Sequence, residues 1–297
     1  MKRIIISLIL PALAAVAASA QSMPSLLIPG DPVSASLAGS GIAREATAFA
    51  VNDNASAMSF SSGTFAASAS YGMWAPEAAD SRLVNAGAYC RLGARAALGF
   101  SGSYIIDRQM NITGSDGIVT GTFSPKDMVA RVGFSYLITD CLSAGVTAKM
   151  IYSSIGPDLS GTAFGGDISV MYRQGALNAA AAVCNLGTSI NYGGASWSMP
   201  AYAKAGAAYS VIGLTLSAEA DYLFEGAFAA ALGAEYGIAD IAFLRAGYHY
   251  GARDKGLPSF ASVGLGVKYA GVELNAACLL ASRTLGNSLL LGLGYRF

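Results

Sequence analysis

The sequence predicts an all-β protein, a membrane-spanning antiparallel β-barrel of about 14 strands with an N-terminal segment folded into the lumen. Apolar and polar residues alternate along much of the chain, as in "MVARVGFSYLI" from Met128 to Ile138. Hydrophobic residues make up 54% of the chain and charged residues 12%, with no net charge. The closing run "GLGYRF" ends on an aromatic residue. Alternation spreads apolar side chains over every second position, which lets a closed barrel face lipid.

The first residues have the layout of a secretory signal peptide. Lys2 and Arg3 precede an apolar stretch that ends in the small residues Ala18-Ser19-Ala20. The stretch is shorter than the roughly 20 residues of a spanning helix, and no later apolar run approaches that length. We therefore expect residues 1–20 to be removed near Ala20 and the mature protein to reach the outer membrane of a Gram-negative cell.

Strand-like alternation recurs through the rest of the chain. Most of these segments are near the roughly 9–11 residues that a tilted membrane strand requires. The connections alternate between long and very short, as barrels with long extracellular loops and short periplasmic turns do, except at Phe224-Glu225. The predicted strands, which together make a barrel domain at 62–297, are 62–73, 82–91, 94–106, 126–138, 142–153, 163–173, 176–186, 200–210, 213–223, 226–236, 239–250, 259–269, 272–281 and 287–297.

A soluble β-sandwich or repeat protein would show similar alternation. Two further features favour the barrel. Aromatic residues often close the apolar faces, as girdles at the membrane interfaces would. The chain also ends with Leu293, Tyr295 and Phe297 on one face of a strand, which resembles the signal that the outer-membrane assembly machinery recognises. We expect outer-membrane lipid and that machinery as partners.

Charged residues within the predicted strands should face the lumen. A Lys or Arg on the lipid face at mid-membrane costs about 2–4 kcal/mol. The alternative to a ligand site is a solvated channel wall of mixed charge. An irregular pattern in 239–250 also predicts a bulge near Ala242–Leu244. The residues expected in the lumen are Arg95, Arg131, Lys149, Lys204, Glu219, Asp221, Glu235, Arg245, Lys268 and Glu273.

Residues 21–61 lack a strand pattern and are mildly apolar. Since fourteen strands enclose more room than an eight-stranded barrel, whose side chains fill it, we predict that this segment is a plug or hatch. Glycines on the inward faces of late strands would allow close approach of its backbone, although they would also suit a tightly curved wall. These glycines are Gly233, Gly264, Gly266, Gly292 and Gly294.

The start of the mature chain resembles a known family. "AREATAFAVNDNASAM" and the later "SYGMW" are similar to the start of the PorV/PorQ outer-membrane barrels of Bacteroidota, which are associated with type IX secretion and distantly related to FadL-type transporters. The matching residues are Ala43-Arg44, Asn52-Asp53-Asn54, Ala57, Ser70-Tyr71 and Trp74. The chain has Phe49-Ala50 where the family usually has Gly-Gly, and Ser61-Ser62-Gly63 where it usually has Asn-Pro-Ala.

The resemblance implies a part in protein secretion or surface attachment, with secretion-system or surface proteins as partners. The alternative that it implies is FadL-like passage of hydrophobic small molecules through a lumen closed by a hatch. An apolar pocket between plug and wall would favour the passage. A closed lumen with a protein-binding loop surface would favour secretion.

No catalytic constellation is visible in the sequence. The only histidine, His249, lies between two tyrosines and is expected in the interfacial girdle, and no G-x-S-x-G elbow occurs. Neither the aspartates nor the cysteines have metal-ligand spacing. We therefore predict no enzymatic activity, no cofactor, no metal and no nucleic-acid partner, and we expect the four cysteines, Cys90, Cys141, Cys184 and Cys278, to form no structural disulfide.

Overall fold

A computed structural model describes residues 23–251, 255–281, 283 and 285–297. Fourteen antiparallel strands close into a barrel, and the first pairs with the last, Ala66 opposite Arg296. With all strands numbered in chain order, the barrel consists of β1 (Phe65–Trp74), β2 (Ser81–Leu92), β3 (Ala96–Ile106), β6 (Lys126–Thr139), β7 (Leu142–Gly156), β8 (Leu159–Gln174), β9 (Leu177–Gly187), β12 (Tyr202–Val211), β13 (Leu214–Leu223), β14 (Ala227–Ile238), β15 (Ala242–Tyr250), β16 (Phe260–Tyr269), β17 (Val272–Leu280) and β18 (Ser288–Arg296). The predicted fourteen-stranded barrel is confirmed.

Two small hairpins form separate two-stranded sheets and are not part of the barrel sheet. They are β4 (Met110–Thr113) with β5 (Val119–Phe123), and β10 (Ile190–Tyr192) with β11 (Ala195–Trp197). Both stretches lie in connections that the sequence predicts to be loops. Their strands have three to five residues, which is too short for a period-two pattern to be recognised.

The two ends of the barrel differ. Tight turns join strands at one end, called here the turn end, and longer connections lie at the other, called the loop end. The connections 212–213 and 270–271 have positive φ at both residues, from 45° at Ile212 to 82° at Gly271, which is the backbone of a two-residue hairpin. The short connection at Phe224-Glu225 lies at the loop end, so the rim is low between β13 and β14.

Side chains alternate across the wall. In β6, Val132 and Phe134 are exposed on the outer surface, whereas Arg131, Gly133 and Ser135 are buried inside. The predicted bulge near Ala242–Leu244 is wrong, because β15 pairs with both neighbours without a register shift. Ile241 precedes the strand, and Phe243 packs against the Arg245 guanidinium at 5.4 Å on the inner face.

The N-terminal segment fills the lumen, as predicted. From Met23 to Ser61 it forms helices α1 (Pro32–Ser36) and α2 (Ala50–Asp53) and the 3₁₀ turns Pro24–Leu27 and Ala55–Phe60. Helix α1 packs against β15 to β18, and the second 3₁₀ turn packs mainly against β3, β6, β7 and β8. The predicted signal peptide, residues 1–20, lies outside the described residues. None of the helices described is long and apolar enough to cross a membrane.

A candidate binding site at the mouth of the barrel

An apolar cavity of about 540 Å³ lies at the loop end. We call it the mouth cavity. Its walls come from the start of the N-terminal segment, from the inner edges of β1 and β3, and from the loops and the β10–β11 hairpin. The large side chains that line it are Met23, Ile28, Trp74, Ile105, Tyr192, Trp197 and Leu257.

The β10–β11 hairpin folds over the lumen to complete this cavity. Ile190 and Tyr192 are buried in a cluster with Met23 and Met199. The approach is close: a Cβ at Gly161 of β8 would overlap the Asn191 carbonyl oxygen. Neither the hairpin nor the cavity was predicted from the sequence, because the cavity is assembled from loops distant in sequence. One feature of the sequence could have indicated the cavity. Both tryptophans of the chain, Trp74 and Trp197, lie beside connections at the loop end.

A few polar groups lie at the edge of the cavity. Ser81 Oγ donates a 2.6 Å hydrogen bond to Asp107, and Ser25 bonds to Asp127. Burial, with a smaller contribution from the Asp127 charge, raises the pKa of Asp107, and the Ser81 hydrogen bond opposes the rise. A cavity that is mostly apolar with few polar groups suits a hydrophobic small molecule.

A second, smaller cavity of about 90 Å³ lies deeper in the lumen, beneath residues 25–30. We call it the inner chamber. Charged side chains predicted to face the lumen line it: Arg131, Lys204, Glu219 and Asp221. Asn52 and Asp53 of the N-terminal segment also line it.

The other predicted lumen charges lie elsewhere. Lys149, Glu235 and Arg245 point inward and form ion pairs, Lys149 with Asp167 at 2.7 Å and Arg245 with Glu235 at 2.5 Å. Asp167 was not among the predicted residues, although its parity in β8 marks it.

Lys268 and Glu273 lie at the turn end, where Glu273 is 3.7 Å from Lys268 and 3.1 Å from Arg296. They are therefore away from both cavities. The placement of Arg95 in a strand is wrong. β3 begins at Ala96, and Arg95 is exposed in the preceding turn, because the tight turn occupies residues 93–95.

Two plug residues join the wall through charged groups. Arg44 Nη2 lies 2.5 Å from Glu235 Oε1, so Glu235 is held between Arg44 and Arg245. The Ile42 amide donates to Glu219 Oε2 at 2.8 Å. Arg44 was part of the family resemblance but was not predicted as a site residue.

Serine hydroxyls make most of the remaining plug-to-wall bonds. Ser217 and Ser262, for example, bond to Ser40 Oγ and to the Ser36 carbonyl, each at 2.8 Å. We call these wall serines the serine lining. Its members are Ser70, Ser101, Ser143, Ser169, Ser217 and Ser262.

Three of the five predicted glycines meet the plug. A Cβ at Gly233 or Gly264 would overlap Ser40 or Ser36, and one at Gly292 would lie 2.9 Å from Pro32 Cγ. Gly266 and Gly294 instead make room for wall side chains, Arg245 and Ser68, so for these two the expected plug contact is wrong. Further wall glycines against the plug, which the sequence analysis did not single out, are Gly87, Gly99, Gly145, Gly206 and Gly247.

His249 lies inside the barrel, so its expected place in the aromatic girdle is wrong. It is buried at the inner chamber and stacks on Phe260 with ring centroids 5.0 Å apart. The parity of β15 explains the difference, because Tyr248 and Tyr250 point outward and place His249 on the opposite face.

The C-terminal strand closes the barrel. The Thr64 and Phe65 amides donate to the Phe297 carbonyl oxygen, and Leu293, Tyr295 and Phe297 are exposed on the outer face. Their role as an assembly signal stays a prediction. All four cysteines are free. Within the described ranges, no group of three or more His, Cys, Asp or Glu side chains could hold a metal.

The chain is similar to known proteins in structure and not in sequence. Neither a protein-family model nor a curated protein sequence matches this chain. The Ralstonia pickettii toluene transporter TbuX superimposes with a TM-score of 0.68 at 14% identity, over 92% of this chain and 99% of its own. The fold is that of the FadL-like outer-membrane barrels.

Two further FadL-like barrels support this. The Pseudomonas putida toluene transporter TodX has a TM-score of 0.64 at 13% identity, over 91% of this chain and 98% of its own. A Pseudomonas aeruginosa FadL homologue has a TM-score of 0.60 at 13% identity, over 91% and 99%. These FadL-like structures establish the fold and do not bear on the PorV/PorQ resemblance, which stays a prediction.

Proposed function

We propose that this barrel admits hydrophobic small molecules across the outer membrane, with the loop end facing outward and the turn end facing the periplasm. The observation that carries the proposal is the mouth cavity, about 540 Å³ of largely apolar space bounded by the N-terminal segment and the loops. It is the pocket between plug and wall that distinguishes a transporter from a secretion partner. Its volume lies within the range of about 300–1,000 Å³ typical of small-molecule sites.

Three further features support the proposal. Solved barrels of the same fold include two toluene transporters. The lumen below the mouth cavity is filled by residues 23–61, so a molecule held at the mouth would pass only after that segment shifts. No combination of residues described above suggests an enzyme, and we keep the expectation of a non-enzymatic role.

The two tryptophans provide the test. Because Trp74 and Trp197 both line the mouth cavity, an apolar ligand there should change the intrinsic fluorescence of the purified barrel. We expect octane to cause saturable quenching or a spectral shift. The single variants Trp74→Phe and Trp197→Phe should each retain the part of the response that comes from the remaining tryptophan. Ala79→Phe, which places a ring in the cavity, should abolish the response. Ala94→Phe, in an exposed turn at the opposite end, should not.

The PorV/PorQ-like secretion function predicts a different result. If the barrel serves secretion, an exported or periplasmic protein should co-elute with it in stoichiometric amount from native outer membranes in mild detergent. Octane should then leave the tryptophan fluorescence unchanged. A barrel that elutes alone and responds to octane supports the transporter. Absence of any fluorescence change up to the solubility limit of octane would overturn the proposal.

A further inference from the structure

The inner chamber and the mouth cavity are near neighbours. They share four lining residues, Ser25, Ile28, Ile105 and Leu257. An apolar space of about 540 Å³ and a polar one of about 90 Å³ therefore adjoin at these four residues. A molecule that enters the mouth meets the polar chamber next.

Three buried polar atoms on residues that line the chamber lack hydrogen-bond partners among the described residues. They are Arg131 Nε, Asp221 Oδ1 and His249 Nε2. The Arg131 and His249 residues are only 8% and 6% exposed. Such atoms are unfavourable when left unpaired in a protein interior, so the chamber is built to receive polar groups.

The three atoms offer complementary chemistry. Arg131 Nε is a donor, and the Asp221 carboxylate oxygen is an acceptor. His249 Nε2 belongs to an imidazole ring, and each nitrogen of the neutral ring donates or accepts according to the tautomer. A group that both donates and accepts would satisfy this set.

The charge around the chamber argues against an anion. The basic side chains Arg131 and Lys204 face the acidic side chains Asp53, Glu219 and Asp221. A carboxylate would therefore bring a further negative charge into a buried site whose basic groups already have acidic neighbours, whereas an uncharged hydroxyl would not. The volume of about 90 Å³ is far smaller than the 540 Å³ of the mouth cavity, so the chamber has room for a polar head and not for a second large apolar body.

We propose that the inner chamber binds the hydroxyl group of an uncharged amphipathic ligand, an alcohol, whose apolar body occupies the mouth cavity. This deepens the proposed function, on which it rests. It makes the barrel selective for hydroxylated hydrophobic molecules over both hydrocarbons and carboxylates of the same length.

The test compares octan-1-ol, octane and octanoate by tryptophan fluorescence of the purified full-length barrel, each corrected for its partition into detergent. Octan-1-ol should bind about tenfold more tightly than either of the others, as expected for one or two added hydrogen bonds. His249→Phe keeps an aromatic ring against Phe260 but removes Nε2. Arg131→Met removes the donor. Each should weaken octan-1-ol binding about tenfold and leave octane binding unchanged.

Arg173→Met is the matched control. Arg173 bonds to the Phe60 carbonyl near the turn end, away from both cavities, and its loss should alter neither affinity. Retained octane binding shows that each variant is folded. The comparison of the three ligands in the unaltered protein does not depend on the folding of any variant. Equal affinities for octane and octan-1-ol, or equal losses for both in the variants, would mean that the chamber holds only water and would overturn the proposal. If none of the three ligands changes the fluorescence, both this proposal and the proposed function are wrong.

Discussion

Asp31 caps helix α1 from within the barrel and carries a carboxylate into a buried site. Its Oδ1 accepts from the Val33 amide at 2.9 Å, and its Oδ2 accepts from Thr47 at 2.9 Å. Burial, with repulsion from Asp53, raises the pKa of Asp31 to about 6. The folded state therefore binds this proton more tightly than the unfolded state does, and stability is lost as the pH rises through this pKa.

We expect Asp31→Asn to stabilise the barrel at neutral pH. The amide keeps an acceptor for the Val33 amide but has no charge to bury. The free energy of unfolding in urea should exceed that of the unaltered protein by up to about 3 kcal/mol near pH 7 and by little near pH 4. Asp116→Asn is the control, because Asp116 accepts from the Ile118 amide in the same way at an exposed loop tip. Equal effects in both variants would show that burial of Asp31 is not the cause.

Gly247 shows why particular positions of the wall are glycine. A Cβ there would lie 2.5 Å from Leu37 C and 2.8 Å from the Ala38 amide nitrogen, both of them plug backbone atoms. Gly247→Ala should therefore displace the plug and lower the free energy of unfolding by about 1–3 kcal/mol. Gly102→Ala is the matched change, since nothing lies within 4 Å of a Cβ at Gly102. Comparable losses in both would mean that the effect comes from the strand backbone and not from the plug.

The N-terminal segment, taken as an element, forms a partly buried ion pair with the wall through Arg44 and Glu235. Arg44→Met removes one charged contact and leaves Glu235 paired with Arg245. Amide hydrogen exchange in the segment, followed at Ile42, should accelerate at least about tenfold, while strands of the barrel keep their rates.

The control for Arg44 is its neighbour. Glu45 forms an exposed ion pair with Arg296 at 3.4 Å. Exposed pairs contribute about 0–1 kcal/mol, so Glu45→Gln should leave exchange in the segment nearly unchanged. Faster exchange across the whole barrel in Arg44→Met would contradict a local role for the contact.

Elements that face lipid on one side were the ones that the sequence predicted well. Lipid and lumen impose opposite chemistry on alternate residues, as at Val132 and Gly133, and that alternation is visible in the sequence. The strands of the β4–β5 and β10–β11 hairpins are too short for such alternation to be recognised and were missed. The same logic failed at β15, where Phe243 is apolar yet points inward because the Arg245 guanidinium and the space beside Gly237 accommodate its ring.

For the whole molecule, the outer surface decides whether the barrel inserts. Val132 is 47% exposed on the lipid face of β6. Val132→Arg should lower the free energy of unfolding in lipid vesicles by about 2–4 kcal/mol and reduce the folded fraction. Ile118→Arg, at a residue 63% exposed on the β4–β5 hairpin beyond the wall, should do neither. Gly133→Ser, on the inner face, should be tolerated better than Val132→Arg, and equal damage would mean that the face assignment is wrong.

The candidate site is a property of the whole molecule, which explains why the sequence did not predict it. Its parts are Met23, Trp74, Tyr192 and Leu257, each on a different loop or segment, and no local pattern links them. The inner chamber was partly predictable, because the cost of a charge against lipid indicated that Arg131, Lys204 and Asp221 face inward. The alternation cannot predict which inward-facing charged groups form ion pairs or hydrogen bonds, because those contacts depend on the position of the plug.

The serine lining has a consequence for displacement of the N-terminal segment. A hydroxyl can rotate about its own Cα–Cβ bond and take a new partner, and no charge is stranded when it does. Contacts such as Ser217 with Ser40 and Ser262 with Ser36 can therefore be exchanged one at a time. Displacement of the segment would break the bonds of the serine lining one at a time, and none of these steps would leave a charge unpaired.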